Sequence, residues 1–159
     1  MKYQKITCPD INAGLGFRVT LWISGCQHHC KFCHNPETWD FNSGEEFTEE
    51  TENELISYLK KPYIKGLTLS GGDPVFSTDE LVPVVKRLKD LFPDKDIWLF
   101  TGFTLDELGD NKLLPYVDYV VDGKYRHQER DISLAFRGST NQVIWEKNSD
   151  GVFIKSSLN

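Results

Sequence analysis

A chain of 159 residues with 39% hydrophobic and 13% aromatic content can bury one core and has little room for a second, so a single domain over residues 1–159 is expected. Twelve Gly and 26% charged residues fit a soluble α/β protein and exclude disorder, collagen and coiled coil. The net charge of −6 leaves no basic footprint for direct nucleic-acid binding, and runs such as Val19 to Ile23 are far shorter than the roughly 18 apolar residues that cross a bilayer.

The opening stretch MKYQKITCPDI lacks the apolar centre of a secretion signal, so a cytoplasmic setting with reduced thiols is expected. The first predicted strand is FRVTLWIS (Phe17 to Ser24), with Cys8 before it and a cysteine-rich loop directly after it. The acidic run Glu45 to Glu54 reads as a solvated helix start. Thr48 to Lys61 then forms a helix with Thr51 and Glu54 at capping-box spacing and Leu55, Ile56 and Leu59 on one face.

A second strand, Gly66 to Ser70, runs into Gly71, Gly72, Asp73 and Pro74. Ser77 and Glu80 are placed to cap the next helix, whose apolar positions are Leu81, Val84, Val85, Leu88 and Leu91; Pro83 requires that this helix start late. Strand Asp96 to Gly102, a short helix from Thr104 to Leu108, a strand within Tyr116 to Tyr125 and a last strand in Gln142 to Glu146 complete the series. Strand followed by helix, repeated, implies mostly parallel strands with right-handed crossovers. A full eight-unit barrel needs about 250 residues, so the expected architecture is a single-domain partial (βα) barrel of α/β class, open on one side. The polar motifs all follow strands, where such folds keep their sites.

Three of the four cysteines, Cys26, Cys30 and Cys33, fall within CQHHCKFC. An odd trio in a reduced compartment does not pair into disulfides, which leaves metal or cluster ligation. Structural zinc needs a fourth ligand, for which Cys8, His28, His29 and His34 are the candidates. The spacing CxxxCxxC instead suits three irons of a cubane 4Fe-4S cluster, with one iron left open for chemistry.

That spacing after the first strand resembles the radical S-adenosylmethionine superfamily. GCQHHCKFCHNPETWD (Gly25 to Asp40) is similar to the activating enzymes of glycyl radical proteins. GLTLSGGDP, KDIWLFTGFTLDEL, VDGKY and RGSTNQ resemble the branch that serves anaerobic ribonucleotide reductase. The resemblance implies that Cys26, Cys30 and Cys33 hold a 4Fe-4S cluster whose fourth iron binds S-adenosyl-L-methionine. It implies reductive cleavage of that cofactor to a 5′-deoxyadenosyl radical and abstraction of a hydrogen atom from a glycine of the reductase large subunit. The electron would come from a flavodoxin- or ferredoxin-like donor.

By the same resemblance Phe32 shields the adenine and the backbone of His34 lies beside the cofactor. Gly71 and Gly72 let the backbone approach it, Asp73 accepts from the methionyl ammonium, and Asp122 and Lys124 serve its carboxylate and ribose region. Asp73 stands where the wider superfamily more often has Glu. Thr101 and Gly102 face either the ribose or nothing in particular; Arg137 and Asn141 are candidates without an assigned contact. In NAGLGFR (Asn12 to Arg18), Ala13 is extra and Leu15 replaces the usual Pro, while Arg18 keeps its place before the strand. Trp22, Trp39 and Phe41 either seal the cluster or pack a core, and Cys8 reads as an ordinary thiol. Two alternatives stand beside the resemblance: an activase of a formate-lyase-type enzyme, and a non-catalytic metal-binding or electron-transfer module.

Overall fold

The computed structural model describes residues 1–159. Its strands are β1 (Lys2–Asp10), β2 (Phe17–Ile23), β3 (Glu45–Glu46), β4 (Ile64–Gly71), β5 (Asp96–Phe100), β6 (Tyr119–Asp122), β7 (Val143–Lys147) and β8 (Phe153–Lys155), and its helices are α1 (Glu49–Leu59), α2 (Thr78–Leu91) and α3 (Leu105–Leu108). The strands form one eight-stranded sheet in the order β3-β1-β2-β4-β5-β6-β7-β8. The expectation of mostly parallel strands holds only for the centre: β2, β4, β5 and β6 run parallel, and antiparallel pairs flank them on both sides. No helix is long and apolar enough to cross a membrane.

Alternation along the central strands separates two faces. Val19, Leu21, Ile23, Leu67, Leu69, Ile97, Leu99 and Val120 bury one face beneath Leu55 and Leu59 of α1 and Leu81, Val85 and Leu88 of α2. Each such fully buried Leu contributes about 1.5–3 kcal/mol of transfer free energy. The other face carries a smaller cluster of Trp98, Val121 and Ile144, against which Leu15, Phe100 and Phe136 pack.

On that second face Arg18 lies inside β2, not before it, with its side chain wholly buried. Its Nε donates to Thr68 Oγ1 (2.8 Å), its Nη2 to the Leu67 carbonyl (2.9 Å) and its Nη1 to the Leu15 carbonyl (3.0 Å); Nη2 also sits 2.6 Å from Asp96 Oδ1. The Thr68 hydroxyl in turn donates to the Ala13 carbonyl (2.7 Å). The variant loop before β2 is thus tied to β4 and β5 at the amino ends of the parallel strands. Burial pushes the Asp96 carboxyl above its ordinary value, and the Arg18 charge opposes this.

Several local expectations are corrected. Cys8 lies within β1, a strand whose mixed polar pattern hid it. The capping box of α1 uses Thr48 and Thr51 in place of Thr51 and Glu54, because the helix begins at Glu49, directly after Thr48. Ser77 precedes α2 without a side-chain cap, and Glu80 instead pairs with the Met1 ammonium. Pro83 sits inside α2, preceded by a 3₁₀ turn over Pro74–Ser77; its missing donor leaves only the exposed Asp79 end of the helix unbonded. The last predicted strand is joined by β8, formed beyond the Asn148–Gly151 turn.

Removing the Arg18 side chain leaves Asp96 largely desolvated without its cation. Arg18→Ala should lower the unfolding free energy by about 3–5 kcal/mol in urea titrations, whereas a loss below about 1 kcal/mol, the scale of an exposed ion pair, would contradict this role.

Candidate active site

The carboxyl ends of β2, β4, β5 and β6 meet at one edge of the sheet, and each delivers one motif there. After β2 comes the cysteine loop. Its base is closed by backbone bonds from Gly25 to the Thr38 carbonyl (2.7 Å) and from Cys26 to the Trp39 carbonyl (3.2 Å). After β4, Gly72 donates to the Ile23 carbonyl (2.8 Å) and Asp73 to the Gly25 carbonyl (2.9 Å), so the turn continues the β2–β4 pairing past the sheet. Gly71 has φ +113°, and a Cβ on Gly72 would lie 2.6 Å from the Gly25 carbonyl oxygen. Only glycines allow the two backbones to meet this closely.

Between these loops lies a cavity of about 240 Å³. Cys26, Cys30 and Cys33 line it together with Gly71, Gly72, Thr101, Gly102 and Tyr125. It adjoins an open groove of about 430 Å³ that shares His34, Phe100, Gly138 and Gln142 and is bounded by Ile11, Leu134 and Phe136.

All four thiols are free. Burial pushes the Cys26 thiol up to about 11, opposed by the His28 backbone N–H. Burial also raises Cys30, opposed first by the Tyr125 backbone N–H and more weakly by the Lys124 ammonium. A metal must displace these protons, so iron loading becomes more favourable as pH rises. No three His, Cys, Asp or Glu side chains converge tightly enough to hold a single ion. A cubane makes no such demand, because each thiolate takes its own iron. Three free thiols lining one cavity therefore fit a cluster, and the bare Gly71–Gly72 backbone facing them fits a ligand pressed against it.

The structure redistributes the remaining predicted residues. Asp73 is 1% exposed and its carboxylate is already occupied. Oδ2 accepts from His28 Nε2 (2.7 Å), the Thr101 hydroxyl (2.9 Å) and the Gly102 N–H (2.9 Å), and Oδ1 accepts from the Val75 N–H (3.0 Å). Three of these donors converge on Oδ2 and one on Oδ1, so Asp73 ties the loops that leave β2, β4 and β5. Asp122 is buried as well, accepting from the backbone N–H of Leu105 (2.7 Å) and Val143 (3.2 Å), so it fixes the start of α3 and of β7 instead of reaching into the cavity. Lys124 is exposed, and none of the chain's ion pairs uses it.

Phe32 has φ +61° and is 60% exposed; its ring stands 4.3 Å from that of His127, outside the cavity lining. His34 lines the cavity and packs edge-on against Tyr125. Trp39 lines it too, whereas Phe41 packs on Phe76 and Trp22 bonds Thr7 of β1.

RGSTNQ acquires a physical account. Gln142 Oε1 accepts from the backbone N–H groups of Gly138 (2.9 Å) and Ser139 (3.1 Å), while its Nε2 donates to the Gly123 carbonyl (2.9 Å). Asn141 Nδ2 donates to the Lys124 carbonyl (2.8 Å), and Arg137 reaches the Gln142 carbonyl and Asn159 Oδ1. The loop braces the segment that presents Lys124. Tyr125, Gln142, Phe100 and His28 escaped the sequence reading as cavity residues. Tyr125 adjoins Lys124 and His28 lies between two of the cysteines, so position was the only signal.

Comparison with known proteins agrees with this geometry. A family model described as a 4Fe-4S single cluster domain matches residues 12–145. The chain is 47% identical over 150 residues to the anaerobic ribonucleoside-triphosphate reductase-activating protein of Vibrio cholerae, covering 91% of this chain and 97% of that one. It is 45% identical to the protein of that name from Haemophilus influenzae, with the same coverage, and 43% identical over 155 residues to that of Enterobacteria phage T4, covering 96% and 98%.

Because one amide serves both loops, Gln142→Ala should lower the unfolding free energy by about 1–3 kcal/mol and speed hydrogen exchange in Gly123 to Arg126. Unchanged exchange there would show that the brace is not needed.

Proposed function

We propose, since this chain belongs to the family of anaerobic ribonucleoside-triphosphate reductase-activating proteins, that it installs a glycyl radical in the large subunit of that reductase. The observation that carries this reading is the facing of three free thiols and a bare glycine turn across one cavity at the ends of parallel strands. In this reading β2, β4, β5 and β6 with α1 and α2 are the portion of a radical S-adenosylmethionine barrel that holds the chemistry.

Cys26, Cys30 and Cys33 would hold a 4Fe-4S cluster, and S-adenosylmethionine would lie between it and the Gly71–Gly72 turn. When bound, the pair supplies one-electron cleavage of a carbon-sulfur bond to methionine and a 5′-deoxyadenosyl radical, which takes a hydrogen atom from a backbone glycine and leaves 5′-deoxyadenosine. The chain's own residues bind and exclude. Lys124 offers an unpaired cation to the cofactor's carboxylate. The His34 backbone would edge the site, and the exposed Phe32 ring would shield the adenine. Trp39, Phe100 and Tyr125 keep the walls apolar against water. The groove between Ile11, Leu134 and Phe136 gives an extended segment of the reductase a path to the cavity. A flavodoxin- or ferredoxin-like protein supplies the electron, in the cytoplasm.

Anaerobic reconstitution should give about four irons per chain in the native protein and in Cys8→Ala, and almost none in Cys30→Ala. The reduced native protein should release methionine and 5′-deoxyadenosine from S-adenosylmethionine. Stoichiometric zinc without cleavage would overturn the reading, and loss of iron in Cys8→Ala would mean that the wrong thiols were assigned.

A further inference from the structure

The Asp73 carboxylate accepts four hydrogen bonds beside the site, and one of its partners comes from the cysteine loop itself. His28 lies between Cys26 and Cys30, yet its side chain is only 7% exposed. The ring is wedged between Phe76 (centroids 5.4 Å) and Phe103 (4.6 Å), and Nε2 meets Asp73 Oδ2 at 2.7 Å. On the far side it abuts Gly102, where any Cβ would stand 2.5 Å from the imidazole. Thr101 and Gly102 donate to the same oxygen. A single buried oxygen thus joins the loops that leave β2, β4 and β5.

We infer that His28 is a positioning residue that, through Asp73, clamps the cysteine loop to the turn after β4 and so sets where the thiols stand relative to the Gly71–Gly72 backbone. The clamp itself rests on geometry alone; its consequence for the cofactor rests on the function proposed above. The closure bonds at Gly25 and Cys26 anchor only the base of the loop. Between Gln27 and Cys33, Cys30 meets the Tyr125 backbone N–H and His28 is the side chain hydrogen-bonded to the turn after β4, so the distance from the thiols to the Gly71–Gly72 backbone depends on it. Asp73 Oδ2 accepts from His28, Thr101 and Gly102 at once, more than the two lone-pair sites of one carboxylate oxygen, so the oxygen that joins the three loops has no capacity left for a ligand.

Two variants separate the hydrogen bond from the packing. His28→Leu fills the slot between Phe76 and Phe103 without a donor; His28→Gln returns an N–H close to the position of Nε2. In the cluster-free chain, hydrogen exchange over Ser24 to Asp40 should accelerate about tenfold in His28→Leu and stay near native in His28→Gln, with Leu69 and Leu99 unchanged in both. In the reconstituted protein, His28→Leu should keep its iron. The S-adenosylmethionine concentration that half-saturates the change in the reduced cluster's paramagnetic resonance spectrum should rise about tenfold, with His28→Gln again near native. Native behaviour of His28→Leu, or equal damage in both variants, would overturn the clamp and leave His28 a packing residue. If the native protein neither holds a cluster nor binds the cofactor, the proposed function fails, and the exchange result still decides the clamp.

Discussion

A buried carboxylate is stable only when donors saturate it, because each oxygen left bare in a low-dielectric interior costs several times what a made hydrogen bond returns. Asp73 is in this position at the carboxyl edge of the sheet. The donors it collects are a side chain from the loop after β2, a hydroxyl and an amide from the turn after β5, and an amide from its own 3₁₀ turn. Parallel strands end at the same edge but have no hairpin to hold their exits together. A shared acceptor does what a hairpin would do, and the cavity wall follows from it.

The opposite end of the parallel strands is held by the reverse arrangement, one buried cation spread over several acceptors. Arg18 gathers the carbonyls of Leu15 and Leu67, the Thr68 hydroxyl and the Asp96 carboxylate while stacking over Trp98. The planar fork of a guanidinium serves several acceptors at once, which a lysine cannot do. The central strands are pinned at both ends.

Much of the central sheet was legible because its strands carry alternating β-branched and aromatic residues that end in glycine. β1 and β8 were not: KYQKITCPD and FIK lie toward the sheet's flanks, where one face meets solvent and the apolar period is broken by lysines. At the site, the cysteine spacing and the glycine pair were readable from residue type, since their roles depend on thiol chemistry and on a missing Cβ. The aspartates were not. Whether Asp73 or Asp122 faces a ligand or a backbone amide depends on donors contributed by Thr101, Leu105 and Val143, which become neighbours only in the folded chain. The one-turn shift of the α1 cap, from Thr51 to Thr48, shows the same limit locally: several residues in the run could cap, and packing of Leu55 and Leu59 chose among them.

The account places the product of this chain's chemistry on another protein, so the most direct measurement looks there. The reduced, reconstituted protein would be mixed anaerobically with S-adenosylmethionine and the large subunit of an anaerobic ribonucleotide reductase, and examined by electron paramagnetic resonance. A glycyl doublet on the large subunit, absent when Cys30→Ala replaces the native protein, is the predicted result. No doublet there, or a doublet only on a formate-lyase-type partner, would contradict the account.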